Sequence, residues 1–318
     1  MAKKARFSIL KVKKRIKEAK NLRQLEKIFE EVVLKEKGIK GLKNKEEIKA
    51  KIKKELELKR REFLPEKVFD FTLPAKKIER GHLHPLTLVS RQVVEIFQSL
   101  GFSLVEGPEI EDEWHNFDAL NIPPYHSARE FLSLGKTIYL EKNLLLRTHT
   151  SSVQIRFMEK NQPPFRIISL GKVFRREATD ASHEIEFWQL EGLMVSKNVS
   201  VAHFKAIVSE FFKRFFKKKI ELRLRPSYFP FTEPSFELDI KCVLCEGKGC
   251  SGCGQTGFLE MGGAGMVNQK VFENVGYQKR DWQGFAFGMG LNRLAMLKYK
   301  IPDIRLFLSS DLRFLKQF

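Results

Sequence analysis

The sequence predicts an α+β fold in which a mainly antiparallel sheet is flanked by helices and preceded by an N-terminal antiparallel helical hairpin. Three observations carry that expectation. Apolar runs of strand length occur at 166–174 (RIISLGKVF), 186–195 (EFWQLEGLMV), 236–244 (FELDIKCVL) and 284–289 (GFAFGM), separated by turn residues. They do not alternate with helices in regular β-α-β order, which argues against a parallel sheet. Residues 1–64, by contrast, carry helical periodicity with charge on the other faces.

From the N-terminus, Ile9, Val12 and Ile16 repeat at helical spacing, followed by Leu22, Leu25, Phe29 and Val32. Ile48, Ile52 and Leu56 form the stripe of a second helix. Gly38 and Gly41 mark the reversal between the two, and Pro65 and Pro74 bracket a non-helical connector. A first domain of residues 1–80 and a second of 81–318 follow. In the second, residues 86–100 form an amphipathic helix that stops at Gly101. Residues 201–217 form another helix between strands.

The 318 residues suffice for a large domain with an appendage, or for two ordinary domains. The charge of +19 is concentrated at one end: residues 1–80 hold 27 Lys and Arg against 13 Asp and Glu. Such a segment suits a polyanion, bound through phosphates with strong salt dependence. A solvated lysine-rich helix that binds nothing is the alternative. No apolar run reaches membrane-spanning length and the N-terminus is charged throughout, so a soluble cytoplasmic protein without a membrane partner is expected.

All four cysteines, Cys242, Cys245, Cys250 and Cys253, lie within twelve residues as C-x2-C-x4-C-x2-C. Gly247, Gly249, Gly252, Gly254 and Gly257 supply the tight turns that tetrahedral thiolate ligation needs, so a structural Zn2+ hairpin is expected at 242–257. Reduced thiols in a hairpin loop are the alternative.

The chemistry concentrates in RIISLGKVFRREATDASHEIEFWQLE (166–191), where two strands flank a polar loop. FRRE alone could be a surface strand end with an ion pair. Joined to His183, Phe187, Gln189 and Glu191 on the returning strand, it resembles motif 2 of class II aminoacyl-tRNA synthetases. GFAFGMGLNRLAML (284–297) resembles motif 3, and the helix running into LGFSLVEGPEIE has the pattern of motif 1. Three further stretches resemble the α subunits of phenylalanyl-tRNA synthetases: WHNFDALNIPPYHSAR (114–129), LRTHTS (146–151) and RPSYFPFTEPS (225–235). The resemblance covers roughly residues 80–318.

It implies a class II catalytic domain that activates phenylalanine with ATP and transfers it to tRNA(Phe). Arg175 would meet the α-phosphate with a fixed fork of donors as charge develops there. Glu177 would accept from the adenine amino group, Phe187 would stack on the adenine, and His183 would belong to the same ATP site. Arg293 would cover the adenine and reach the γ-phosphate. His149, Ser151, Gln189 and Glu191 would hold the amino and carboxylate ends of phenylalanine. Phe229 and Phe231 would meet its ring edge-on. Ala286 would close the far end above the para position, and Gly288 would leave room for the ligand. Glu233 would share a Mg2+ with the β subunit of an α2β2 heterotetramer, and the basic hairpin would reach tRNA as a coiled coil.

Departures from the family pattern are Asn292 in place of Glu, Trp188 where His is common, and Ser127 followed by EFLSL. Two rivals remain. One is a class II synthetase for another amino acid, against which the THTS, FPF and Ala286 combination speaks. The other is a zinc-bearing RNA-binding protein or a silent paralogue, against which intact Arg175, Glu177 and Arg293 speak.

Overall fold

The computed structural model describes residues 2–35, 44–63, 81–129, 136–278 and 280–318. Gly38, Gly41, Pro65, Pro74 and the EFLSL run at 130–134 lie outside them. The chain divides into two compact units, Met1–Glu79 and Arg80–Phe318.

The first unit holds helices α1 (Ala2–Glu18), α2 (Leu22–Phe29) and α3 (Lys45–Phe63). The apolar stripe from Ile9 to Val32, expected on one helix, is thus divided among α1, α2 and a π-helical turn at Glu30–Leu34 that follows α2. Asn21 breaks it: its backbone is extended, and its side chain accepts the Gln24 N–H at 3.0 Å, capping α2. The core is a narrow seam of Val12, Ile16, Leu25, Ile28, Val32, Ile52 and Leu56. Lysine and glutamate cover the outside, in pairs such as Lys51–Glu47 at 2.7 Å.

The second unit begins with α4 (Pro85–Ser99), which ends at Gly101 with φ +81. Then follow β1 (Ser103–Val105), β2 (Ile110–Asp112), β3 (Ile138–Glu141), β4 (Leu144–Leu146) and α5 (Ser151–Met158). The long strands are β5 (Phe165–Phe174), β6 (Glu186–Ser196), β7 (Leu222–Phe229), β8 (Thr232–Lys241), β9 (Phe258–Val267) and β10 (Gln283–Gly290). Between and after them lie α6 (Val201–Phe216), α7 (Gln269–Asn274), α8 (Leu291–Tyr299) and α9 (Leu312–Leu315). Seven strands form one sheet in the order β1-β5-β6-β10-β9-β8-β7, in which only β1 and β5 are parallel. A small sheet, β2-β4-β3, stands beside it.

The expected antiparallel sheet is therefore present, with two revisions. The run at 236–244 stops being strand at Lys241, because Cys242 turns into the cysteine loop. β7 and β9 were not foreseen as strands: β7 alternates leucine with arginine and contains Pro226, and β9 contains Gly262, Gly263 and Gly265. Both compositions depress strand propensity, and neighbouring strands override them.

The period-2 alternation of each strand divides its side chains between two cores. Ile168, Leu190, Phe285 and Phe287 pack with α4, α6 and α8, where Phe97, Phe204, Phe211, Phe212 and Phe215 are buried. Ile167, Leu193, Val195 and Val267 belong to a second cluster with Phe117, Ile155 and Phe272. Among the described residues no helix is long and apolar enough to cross a membrane.

Phe211 stacks on Phe97 at a centroid distance of 4.8 Å and on Phe215 at 5.6 Å, fully buried. Phe211→Ala is expected to destabilise the second unit by about 3–5 kcal/mol, read as a lower denaturant midpoint in urea unfolding.

Candidate active site

A cavity of about 480 Å³ opens on the sheet face that carries Ala286 and Gly288. Register explains its floor. Across β10, Gly288 pairs with Glu191 of β6 on one side and Gly263 of β9 on the other, and Ala286 pairs with Leu193 and Gly265. A Cβ on Gly288 would stand 3.0 Å from Gln189 Nε2 and 3.1 Å from Glu191 Cγ, and one on Gly263 would strike the Phe229 ring at 2.9 Å. Glycine at these positions lets polar side chains from β6 and an aromatic from β7 lie over the sheet backbone.

The polar end converges on Glu191. Its Oε2 accepts from Ser151 Oγ at 2.7 Å and from Gln154 Nε2 at 2.8 Å, both on the first turn of α5. Burial pushes the Glu191 carboxyl up to about 7, with Ser151 and Arg175 opposing the rise. The two ring nitrogens of His149 are sealed from solvent and lack a hydrogen-bonding partner, as does Gln189 Oε1. Burial, reinforced by the Arg175 cation, pushes His149 down to about 3, so the imidazole is neutral at pH 7. Buried polar atoms without partners are costly, and both His149 and Gln189 line the cavity. The cavity's aromatic wall is Phe229 and Phe231, stacked on each other at 5.7 Å and 13°.

Arg175, Glu177, His183, Phe187 and Arg293 line the same cavity. The Arg175 guanidinium lies over the Phe187 ring at 5.1 Å, and its Nε donates to the Thr148 carbonyl at 3.0 Å. Lys136 Nζ sits 2.7 Å from Glu177 Oε1. Burial raises the Glu177 carboxyl, but Lys136 and Arg175 outweigh it and hold the group below its ordinary value. In the motif 2 loop, Asp180 accepts from the backbone of Ser182 and His183 and pairs with His183 Nδ1 at 3.0 Å. These contacts hold the Asp180 carboxyl well below its ordinary range. Arg293 Nη1 donates to the Glu260 carbonyl at 2.6 Å. Asn292 is buried and its Oδ1 accepts the Trp188 N–H at 2.8 Å, tying the start of α8 to β6.

Two expected site groups lie elsewhere. Glu233 is exposed at the start of β8, outside the cavity lining, and accepts from Asn268 Nδ2 at 3.3 Å. The cysteines form the tip of the β8–β9 hairpin. Their four sulfurs lie within 4.8 Å of one another, with Cys242–Cys250 at 3.9 Å, Cys245–Cys253 at 3.8 Å and Cys250–Cys253 at 3.7 Å. A tetrahedron of Zn–S bonds of about 2.3 Å has edges of about 3.8 Å, so the donor set fits zinc. The Cys250 N–H also donates to Cys253 Sγ at 3.2 Å, a contact that favours thiolate.

The WHNFDALN stretch braces the site, and its Leu120 lines the cavity. Asn116 Nδ2 donates to Thr148 Oγ1 at 3.0 Å, fixing the THTS turn. Arg129 pairs with Asp118 at 2.6 Å and covers the Phe117 ring at 4.8 Å. Lys136, Gln154, Glu237 and Glu260 also line the cavity without having been foreseen. Gln154 was findable, since it lies one helical turn from Ser151. Lys136 carried no signal, because it reaches Glu177 from 41 residues away.

Comparison with known proteins places these motifs in a family context. The family model of the tRNA synthetases class II core domain (F) matches residues 68–318. The phenylalanine–tRNA ligase alpha subunit of Syntrophus aciditrophicus (strain SB) is 51% identical over 261 residues, 82% of this chain and 76% of its own. That of Desulfosudis oleivorans (strain DSM 6200 / JCM 39069 / Hxd3) is 53% identical over 249 residues, 78% of this chain and 73% of its own. That of Trichlorobacter lovleyi (strain ATCC BAA-1151 / DSM 17278 / SZ) is 51% identical over 278 residues, 86% of this chain and 81% of its own.

The raised Glu191 carboxyl has a pH signature. Folded, it keeps its proton to about 7, whereas unfolded it loses it near 4.5. Between those values the folded state binds more protons, so this group's contribution to stability falls as pH rises and levels off above 7. Urea unfolding from pH 4 to 8 is expected to show that fall in the difference between the unaltered chain and Glu191→Gln; a flat difference would remove the assignment.

Proposed function

The chain belongs to the class II tRNA synthetases, and within them to the phenylalanine–tRNA ligase alpha subunits, and from that membership we propose that it activates phenylalanine with ATP and passes the phenylalanyl group to tRNA(Phe). One observation carries the reading. A single cavity joins a polar end (His149, Ser151, Gln189, Glu191), an aromatic wall (Phe229, Phe231) closed by Ala286, and a cationic end (Arg175, Arg293). Those three parts suit an α-amino acid, its benzyl side chain and a nucleotide triphosphate.

In the proposed first step a phenylalanine carboxylate oxygen bonds to the α-phosphorus of ATP. The bond from that phosphorus to the bridging oxygen breaks, and pyrophosphate leaves with the electron pair. Arg175 stabilises the charge on the α-phosphate oxygens, and its seat over Phe187 and on the Thr148 carbonyl fixes its orientation before ATP arrives. Neutral His149 donates to the substrate without adding a competing cation beside Arg175. Glu191, with Ser151 and Gln154 on one oxygen, receives the substrate ammonium and favours its own ionised form in doing so. Glu177 and Phe187 take the adenine, and Arg293 covers it and reaches the γ-phosphate. In the second step a hydroxyl oxygen of the tRNA's 3′-terminal ribose bonds to the phenylalanyl carbonyl carbon, the bond from that carbon to the adenylate's phosphate oxygen breaks, and AMP leaves with the electron pair as the hydroxyl proton is released.

Mg2+ would neutralise phosphate charge, held in part by Glu233, whose exposed carboxylate suits an ion shared with the β subunit in an α2β2 assembly. The four cysteines would hold a structural Zn2+ at the hairpin tip. The basic helical unit, residues 1–80, would grip tRNA in the cytoplasm; its surface lysines support that role.

ATP–pyrophosphate exchange, assayed with each proteinogenic amino acid in the presence of the β subunit, is expected to depend on phenylalanine. Exchange with none of them would leave the RNA-binding reading. Arg175→Ala is expected to lower kcat by about 100-fold or more with little change in phenylalanine affinity. Ala286→Gly, by opening the end of the ring pocket, is expected to admit para-chlorophenylalanine; unchanged exchange with that analogue would sink the pocket assignment.

A further inference from the structure

The cysteine loop and Arg293 are joined by a short physical path. β9 leaves the loop at Phe258, directly after Gly257, whose carbonyl accepts the Cys242 N–H at 2.8 Å. Two residues on, the Glu260 carbonyl accepts from Arg293. The hairpin is locked just below the loop. The Arg223 guanidinium lies over the Phe258 ring at 4.1 Å, and Arg223 and Arg225 both bind Asp239, at 2.8 and 2.7 Å. The Asp239 side chain is only 2% exposed. A second cavity, of about 1200 Å³, is bounded by Cys250, Cys253, Phe258, Glu260 and Arg293. Glu260 and Arg293 line both cavities.

We propose that the four-cysteine loop is a positioning device for Arg293, so that metal in the loop is read as affinity for ATP and not for phenylalanine. Metal held by four sulfurs sets where β9 begins. The strand then sets the Glu260 carbonyl, and that carbonyl sets the guanidinium. The polar groups of the phenylalanine end, Ser151, Gln154, Gln189 and Glu191, sit on α5 and β6, off this path, and its ring wall at Phe229 lies at the end of β7 far from the loop. The proposal rests on the zinc and Arg293 assignments made above.

The test uses the complex with the β subunit. Zinc is measured by metal analysis, and Kd for ATP and for phenylalanine by equilibrium dialysis, each ligand alone so that no turnover occurs. Cys245→Ser is expected to lose one zinc per chain and to weaken ATP by about tenfold, the worth of one charge-assisted hydrogen bond, leaving phenylalanine binding unchanged. Zinc lost with ATP affinity intact overturns the coupling alone. An unaltered complex that holds no zinc overturns the zinc assignment and the proposal with it, and an Arg293→Ala variant that binds ATP normally overturns the Arg293 assignment. If Cys245→Ser loses both ligands, Phe258→Leu decides, since it keeps all four cysteines. Retained zinc with ATP weakened by about threefold supports the proposal, and unchanged ATP affinity overturns it.

Discussion

The active-site cavity depends on the sheet backbone being bare at its centre. β10 runs between β6 and β9, and at Gly288 and Gly263 a methyl group would already collide with Gln189, Glu191 or Phe229. A sheet face normally fills with side chains at every second residue. Here that filling is withheld along β10 and β9, and the space is lined instead by side chains reaching in from β6, β7 and α5. The opposite face of the same strands carries Phe285, Phe287 and Met289 into the main core, so the glycines are held flat by dense packing beneath them. Rigidity below and emptiness above are two results of one alternation.

On that floor sits a set of polar groups that a free protein would not choose for stability. Glu191 is buried with its carboxyl shifted upward, His149 is held neutral, and Gln189 Oε1 is unpaired. Under the proposed function each cost would be met by complementary groups on an incoming amino acid, which is how a site discriminates by hydrogen bonding more strongly than by shape. The end proposed for the nucleotide is arranged differently. Arg175, Glu177 and Arg293 each already have a protein partner, in Thr148, Lys136 and Glu260. Those contacts orient the charges before the ligand arrives.

The stretch at 114–129 reaches the cavity through Leu120, while its polar side chains serve the protein itself. Asn116 and Arg129 spend their hydrogen bonds on the THTS turn, on Asp118 and on the Ile122 carbonyl. Of the two, Asn116 bears on the turn that carries His149 and Ser151, through Thr148. Asn292 behaves likewise: its side chain serves the Trp188 backbone, and Arg293 finds its support on β9 instead.

The sequence by itself determined the α+β class, two of the helices of the second unit (α4 and α6), four of its strands and the family, because periodicity and ordered motifs are local signals. It also pointed to many of the residues that line the main cavity, since motifs 2 and 3 and the THTS turn are contiguous, but not to Lys136, Gln154, Glu237 or Glu260. Several features were decided only by tertiary structure. Asn21 splits the first basic helix, a choice between capping and continuing that depends on how the three-helix seam closes. β7 and β9 are strands because neighbouring strands satisfy their backbone, despite arginine, proline and glycine in their sequences. Lys136 meets Glu177, and Glu260 meets Arg293, across separations in sequence of 41 and 33 residues. Sheet register sets the second contact and the chain path from β3 to β5 the first, and neither leaves a trace in local composition.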